Sequence, residues 1–294
     1  MIATAEPRSG RSGRRFILAF AAVSLIAVVS GAVTMANIGI PALRWALNLA
    51  AWAVGALLAL AIVRARPRGK GWTFIALGGA AAILATLVGP DQLGIHRWLT
   101  IGPLFIHGAA IMLPAVIVAL ARMGHGNRVA QAIALVVAAV LTVQPDASQA
   151  WGFALASLAW LWPGKAPSAL AQGFVMIALA AIATLSPDPL GPVPEVEQII
   201  MLALTVHPAL AAVAVTALAA LPLVVWRSRP CDRAALSLAL YSTAIVLAPA
   251  FGWFPVPLVG SGMSFVLGLW LGAALLAAPH FDAPATLPLE LPTR

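Results

Sequence analysis

Ten apolar runs, separated by short polar or basic interruptions, leave this chain almost no stretch able to form a water-facing surface. They cover residues 16–35, 42–63, 72–88, 104–121, 129–143, 147–162, 167–185, 199–225, 234–250 and 262–278. A helix crossing a bilayer needs about 20 predominantly apolar residues, fewer where neighbours shield its ends, so each run reads as a span. The fifth and sixth are the shortest. With 62% hydrophobic and 9% charged residues and a mean hydropathy of +0.99, the 294 residues lack the polar surface to coat a soluble core. The fold class implied is an all-α integral membrane protein, a bundle of about ten transmembrane helices.

Charge tests the count independently, because loops alternate sides and Lys and Arg accumulate on the cytoplasmic one. With the N-terminus inside, 15 of the 17 basic residues fall in cytoplasmic segments, and only Arg44 and Arg97 lie outside. Removing one span would flip every later loop and scatter that bias. The expected organisation is a basic cytoplasmic tail (1–15), a transmembrane domain (16–278) and a Pro-rich, disordered cytoplasmic tail (279–294), with both termini inside. No small-x-small cleavage site follows Met35, so the first run reads as a retained anchor rather than a signal peptide. A pI near 11.4 does not indicate nucleic acid, because the cations come in short clusters between spans. Cys231, the single cysteine, sits among Arg227, Arg229 and Arg233 and reads as a reduced thiol. The five histidines show neither i, i+4 spacing nor clustered carboxylates, so no metal and no cofactor is expected.

The outer loops hold five of the nine acids: Asp91, Asp146, Asp188, Glu195 and Glu197. Asp146 precedes a helical run and suits an N-cap; Glu197 opens the eighth span, where the helix dipole favours an acid. Arg97 has several readings: a bidentate cation for phosphate oxygens, an arginine snorkelling to headgroups, or a partner for Asp91 or Asp146. Trp98 would hold its loop at the interface, where amphipathic rings settle. His207-Pro208 inside the eighth span reads as a kink whose freed carbonyl the histidine satisfies. Asn48, Gln172, Tyr241, Ser242 and Thr243 suit interhelical hydrogen bonds, and Gly268-x-x-x-Gly272 suits close packing or a dimer contact.

Three stretches together resemble the SEDS family (shape, elongation, division and sporulation), the FtsW/RodA-type polymerases of peptidoglycan glycan strands. Residues 94–103, Gly-Ile-His-Arg-Trp-Leu-Thr-Ile-Gly-Pro, look like the family's G-x-x-R-W-x-x-x-G-P outer loop before the fourth span. Gln144-Pro145-Asp146 is similar to the Q-P-D closing its fifth span, and residues 255–264 resemble the P-F-V-S-Y-G-G-S segment before the last. The resemblance implies a multi-pass protein of the bacterial inner (plasma) membrane, acting in cell-wall synthesis, cell shape or division. It also implies a lipid-linked precursor as ligand, membrane lipids as surroundings and a single-span transpeptidase-like membrane protein as partner.

Two departures bear on activity. Where the family reads Q-P-S-E-x-x-K, this chain has His107, Gly108, Ala109, Ala110 and, at the lysine, Leu113, so one acid and one base are missing. The long outer loop ending in P-E-x-x-T-D shrinks to residues 186–198, and Ile199 stands where the family's catalytic Asp is expected. Joining sugars requires a base near the acceptor hydroxyl and cations near the departing pyrophosphate. The residues left for those tasks are Glu197 or Glu195 as base and Arg97, Trp98, Asp146, Ser261 and Ser264 as substrate contacts. Three functions follow: a degenerate relative that binds precursor or partner without catalysis, an active glycosyltransferase, or a carrier of lipid-linked precursor.

Overall fold

A computed structural model describes residues 8–162 and 167–278. Twelve helices follow one another among them: α1 (Arg8–Asn37), α2 (Ala42–Ala65), α3 (Lys70–Ala85), α4 (Gly108–Met123), α5 (Arg128–Val143), α6 (Ala147–Leu161), α7 (Pro167–Leu185), α8 (Pro194–Glu197), α9 (Ile199–Val206), α10 (Pro208–Ser228), α11 (Arg233–Leu247) and α12 (Met263–Ala277). Among the described residues six helical stretches are long and apolar enough to cross a membrane; α4, α5 and α12 are shorter apolar helices. α1 runs back to Arg8, into the segment expected as a basic tail. The Pro-rich segment 279–294 lies outside the described residues.

The short helices survive because they are interior. α4 is buried from Gly108 to Leu120 with the single exception of Met112, and α12 is nearly as enclosed, lying between α2 and α4. In a bilayer, lipid tails are as apolar as leucine, so packing and backbone approach rather than water expulsion hold helices together. Gly268 and Gly272 serve that approach within the chain: a side chain at Gly268 would meet the backbone of Ala110 and Ile111, and one at Gly272 would meet Pro114. The motif read as a possible dimer contact is therefore consumed by the α12–α4 seam. Trp270 of α12 anchors the other side, with its ring 5.0 Å from Phe20 and 5.5 Å from Trp52, edge to face in both cases.

Side chains terminate the helices where the sequence supplies them. Asn127 accepts from the amides of Val129 and Ala130 at the start of α5, and Asp232 accepts from Ala234 N at the start of α11. Two expectations need correction. The eighth run does break at His207, but the ring's Nδ1 accepts from Ala209 N at 3.2 Å and caps α10; it does not serve a freed carbonyl. Extended backbone at His207 and Pro208 at the first helical position separate α9 from α10. The fourth run does not start as a helix: Leu104–His107 forms β2, paired antiparallel with β1 (Trp98–Ile101). Gly102, at φ +57°, and Pro103 make the two-residue turn, a Gly-first pattern suited to hairpins. The register sets Trp98 opposite His107, and the tip carries Ile101 and Phe105 outward, 66% and 53% exposed.

Candidate functional site

The hairpin ends where α4 begins, and His107 belongs to both. Its Nδ1 accepts from Ala110 N at 3.2 Å, capping α4, which places the ring proton of a neutral imidazole on Nε2. Nε2 faces Asp146 Oδ2 at 3.3 Å, close enough for an ion pair but not aligned as a hydrogen bond. The His107 amide donates to Ser264 Oγ at 3.0 Å, and its ring stands edge-on to Trp98 at 6.1 Å. Trp98, Asp146 and Ser264 were singled out separately in the sequence; the structure joins all three through His107, noted there only as a departure from the family pattern.

Asp146 caps α6 as expected, its Oδ1 accepting from Gln149 N at 3.4 Å and from Ser148 Oγ at 3.3 Å. It is almost fully buried. Burial, the largest influence, pushes its carboxyl up; the facing His107, then Arg97 and the Gln149 amide, outweigh it and hold the group below its ordinary range. Below it the network continues inward, Gln149 Oε1 accepting from Tyr241 OH at 2.7 Å.

Arg97 does not pair with Asp146 or Asp91. Its Nε donates to Gln144 O at 2.8 Å and its Nη2 to Pro145 O at 2.5 Å, clamping the turn that presents Asp146. The same Nη2 pairs with Asp188 Oδ2 at 2.7 Å. Asp91 instead accepts from Gly94 N and shapes the hairpin approach. Gln144 donates to Thr86 Oγ1, tying the turn to the end of α3.

The other predicted residues form a second group. Glu195 is buried and paired with Arg44 at the start of α2, and its backbone carbonyl accepts from Ser261 N at 2.8 Å. Asn48 of α2 grips the same segment, donating to Gly260 O at 2.8 Å and accepting from Gly262 N at 3.0 Å. Glu197 reaches back to accept from Val193 N at 2.6 Å, as in a capping box, and burial raises its carboxyl. Ile199 is buried at the start of α9. Arg97 and Arg44 thus both bind carboxylates of the loop between α7 and α9, Arg97 near one end and Arg44 near the other.

Beside Ser148 opens a cavity of about 580 Å³ between α6 and the end of α11, lined chiefly by Trp151, Leu155, Leu247, Phe251 and Phe254. Its floor is apolar, and its rim at Ala147 and Ser148 adjoins the Asp146 cap. Sequence reasoning missed His107, Asp188 and Arg44; the signal for His107 was the β-prone Leu-Phe-Ile-His run after Gly-Pro.

These features define a multi-pass helical membrane protein with a buried polar cluster at one end of the bundle and an apolar groove descending from it. Its fold is that of RodA. The Thermus thermophilus rod shape determining protein RodA matches over 88% of this chain and 94% of its own, with 16% identity and a TM-score of 0.62. An aspartate-to-alanine mutant of that protein matches at 18% identity and a TM-score of 0.60, over 88% and 95%. A chain of a peptidoglycan synthase complex, described for coordinating polymerization and crosslinking, matches at 18% identity and a TM-score of 0.53, over 87% and 96%. No protein-family model and no curated protein matches the sequence.

Proposed function

We propose that this chain is a SEDS-like protein of the bacterial inner membrane, acting in cell-wall synthesis, cell shape or division by binding a lipid-linked precursor. The observation that carries this reading is the apolar groove opening at Ser148, directly beside Asp146, in a RodA-like fold. A polyprenyl-type tail suits the groove, and an anionic sugar headgroup suits the rim, where Arg97 and His107 supply polar hydrogens. Ten spans with both termini cytoplasmic put this rim on the outer face. Ser261 sits on the segment leading into α12, and Ser264, in the first turn of α12, borders the rim through His107. A single-span transpeptidase-like protein is the partner this reading implies.

Catalysis is the weaker part of the analogy. Ile199 offers no proton-transfer group, Glu195 is engaged by Arg44, and Glu197 is engaged by a backbone amide. The second reading, an active glycosyltransferase, rests on Glu197, whose raised carboxyl suits a proton acceptor better than a paired acid does. Purified protein given fluorescent lipid-linked disaccharide separates the cases. Binding without polymer is the expected result. Polymer that disappears in Glu197→Ala establishes the enzyme instead, and uptake of the lipid into sealed vesicles establishes a carrier. Absence of binding, polymer and uptake overturns all three.

A further inference from the structure

At the end of the bundle opposite the polar cluster, where α4 and α10 stop and α11 starts, a second pocket of about 550 Å³ is lined by Arg122, Arg229, Cys231, Asp232 and Arg233. Its chemistry is the reverse of the first. Arg122 is partly buried and holds Asp232 through both terminal nitrogens, Nη1 to Oδ1 at 3.1 Å and Nη2 to Oδ2 at 2.6 Å. Arg229 Nη1 lies 3.8 Å from the same Oδ2, and Arg233 Nη1 lies 3.3 Å from His125 Nδ1, the imidazole nitrogen acting as acceptor. Three permanent guanidinium charges therefore line a pocket that holds one carboxylate, a local excess of +2, with two of them, Arg122 and Arg229, on the carboxylate itself. That carboxylate is further shared with Ala234 N as the cap of α11. Arg122 Nε is buried with no hydrogen-bond partner among the described residues. A buried donor left in that state costs free energy that an incoming acceptor recovers.

We propose that this pocket binds a phosphate group, whose tetrahedral oxygens match several guanidinium forks at once, and that the phosphate is carried by an anionic membrane lipid. The lipid source follows from the flank of the pocket. The last turns of α10 present Leu223 and Trp226 outward, 56% and 43% exposed, and a Trp at a helix end marks the bilayer interface. A headgroup seated among the arginines would thus have its acyl chains along α10. Nothing in the cell-wall reading requires this site, and its test is separate.

Cys231, exposed and the only cysteine in the chain, reports occupancy directly. Detergent-purified protein is alkylated with a maleimide in the presence of phosphatidylglycerol, phosphatidylcholine or inorganic phosphate. Phosphatidylglycerol should protect the thiol, phosphatidylcholine should not, and Arg229→Gln and Arg233→Gln should each weaken protection about tenfold, as expected for a charge-assisted contact. Asp232→Asn keeps an N-capping side chain while removing the competing carboxylate, so it should tighten binding. Arg64→Gln, at the same end of the bundle but outside the pocket, should leave protection unchanged. Protection by inorganic phosphate with no lipid preference upholds the anion site and transfers it to a soluble phosphate, which overturns the lipid source. Equal protection by both lipids with none by inorganic phosphate, or protection indifferent to Arg229→Gln, Arg233→Gln and Asp232→Asn, overturns the site itself.

Discussion

Arg97 illustrates how one cation can be spent on structure and still define a site. Two of its three bonds go to the carbonyls of Gln144 and Pro145, and only the third reaches a carboxylate, Asp188. The side chains are 11% and 36% exposed respectively, so the ion pair is partly screened while the carbonyl clamp is not. Asp188→Asn should therefore cost less than about 1 kcal/mol in detergent unfolding. Arg97→Gln should cost about 2–3 kcal/mol, because it leaves buried acceptors without donors. His107 is the more sensitive position. His107→Ala removes both the α4 cap and the group facing Asp146, a loss of about 3 kcal/mol. Asp146→Asn in the same chain should return part of it, and a coupling of at least about 0.5 kcal/mol in the double-mutant cycle is the readout. The pH dependence has a definite sign. Asp146 is held below its ordinary carboxylate range, so its contribution is fully present above that range and is lost as pH falls through the lowered folded value. Unfolding curves of the parent and Asp146→Asn should converge only on the acid side.

Between elements, the α12–α4 seam is a close backbone contact that glycine allows. Gly268→Leu would drive a branched side chain into the backbone at Ala110 and Ile111. Overpacking of this kind costs about 1–3 kcal/mol, more where backbone cannot retreat, and a lowered thermal midpoint in detergent measures it. The sequence made much of this scale legible. Apolar runs marked the helices, Asp146 was recognisable as a cap, and the Gly-x-x-x-Gly spacing marked a close contact. It could not say whether the glycine face meets another chain or α4, because an apolar pattern names a face and not its partner. Leu104–His107 was misread for a related reason: three apolar residues and a histidine beside an apolar helix carry no period of their own, and only Gly102-Pro103 hinted at a turn. The Arg97 pairing was misread because outer charges announce their sign but not their reach. Asp91 and Asp146 were the partners the sequence offered, and the fold instead brings up Asp188 from 91 residues away.

For the whole molecule, alternation of basic loops and the RodA-like fold point to a bundle whose two ends differ in charge. The polar cluster and the arginine pocket lie at opposite ends, so a membrane-impermeant maleimide should reach Cys231 from one face only. With Cys231→Ser as background, Gly94→Cys should label from the other face. Labelling of both positions from the same side would refute the span parity on which the orientation rests. The hairpin adds a constraint of another kind. Its tip is greasy while its base holds Trp98 and His107, so a tip drawn into the interfacial layer of a bilayer should carry the paired base with it. Bilayer thickness then becomes an input: a thinner or thicker membrane shifts the height at which the hairpin floats, and with it the alignment of the imidazole on the carboxylate beneath.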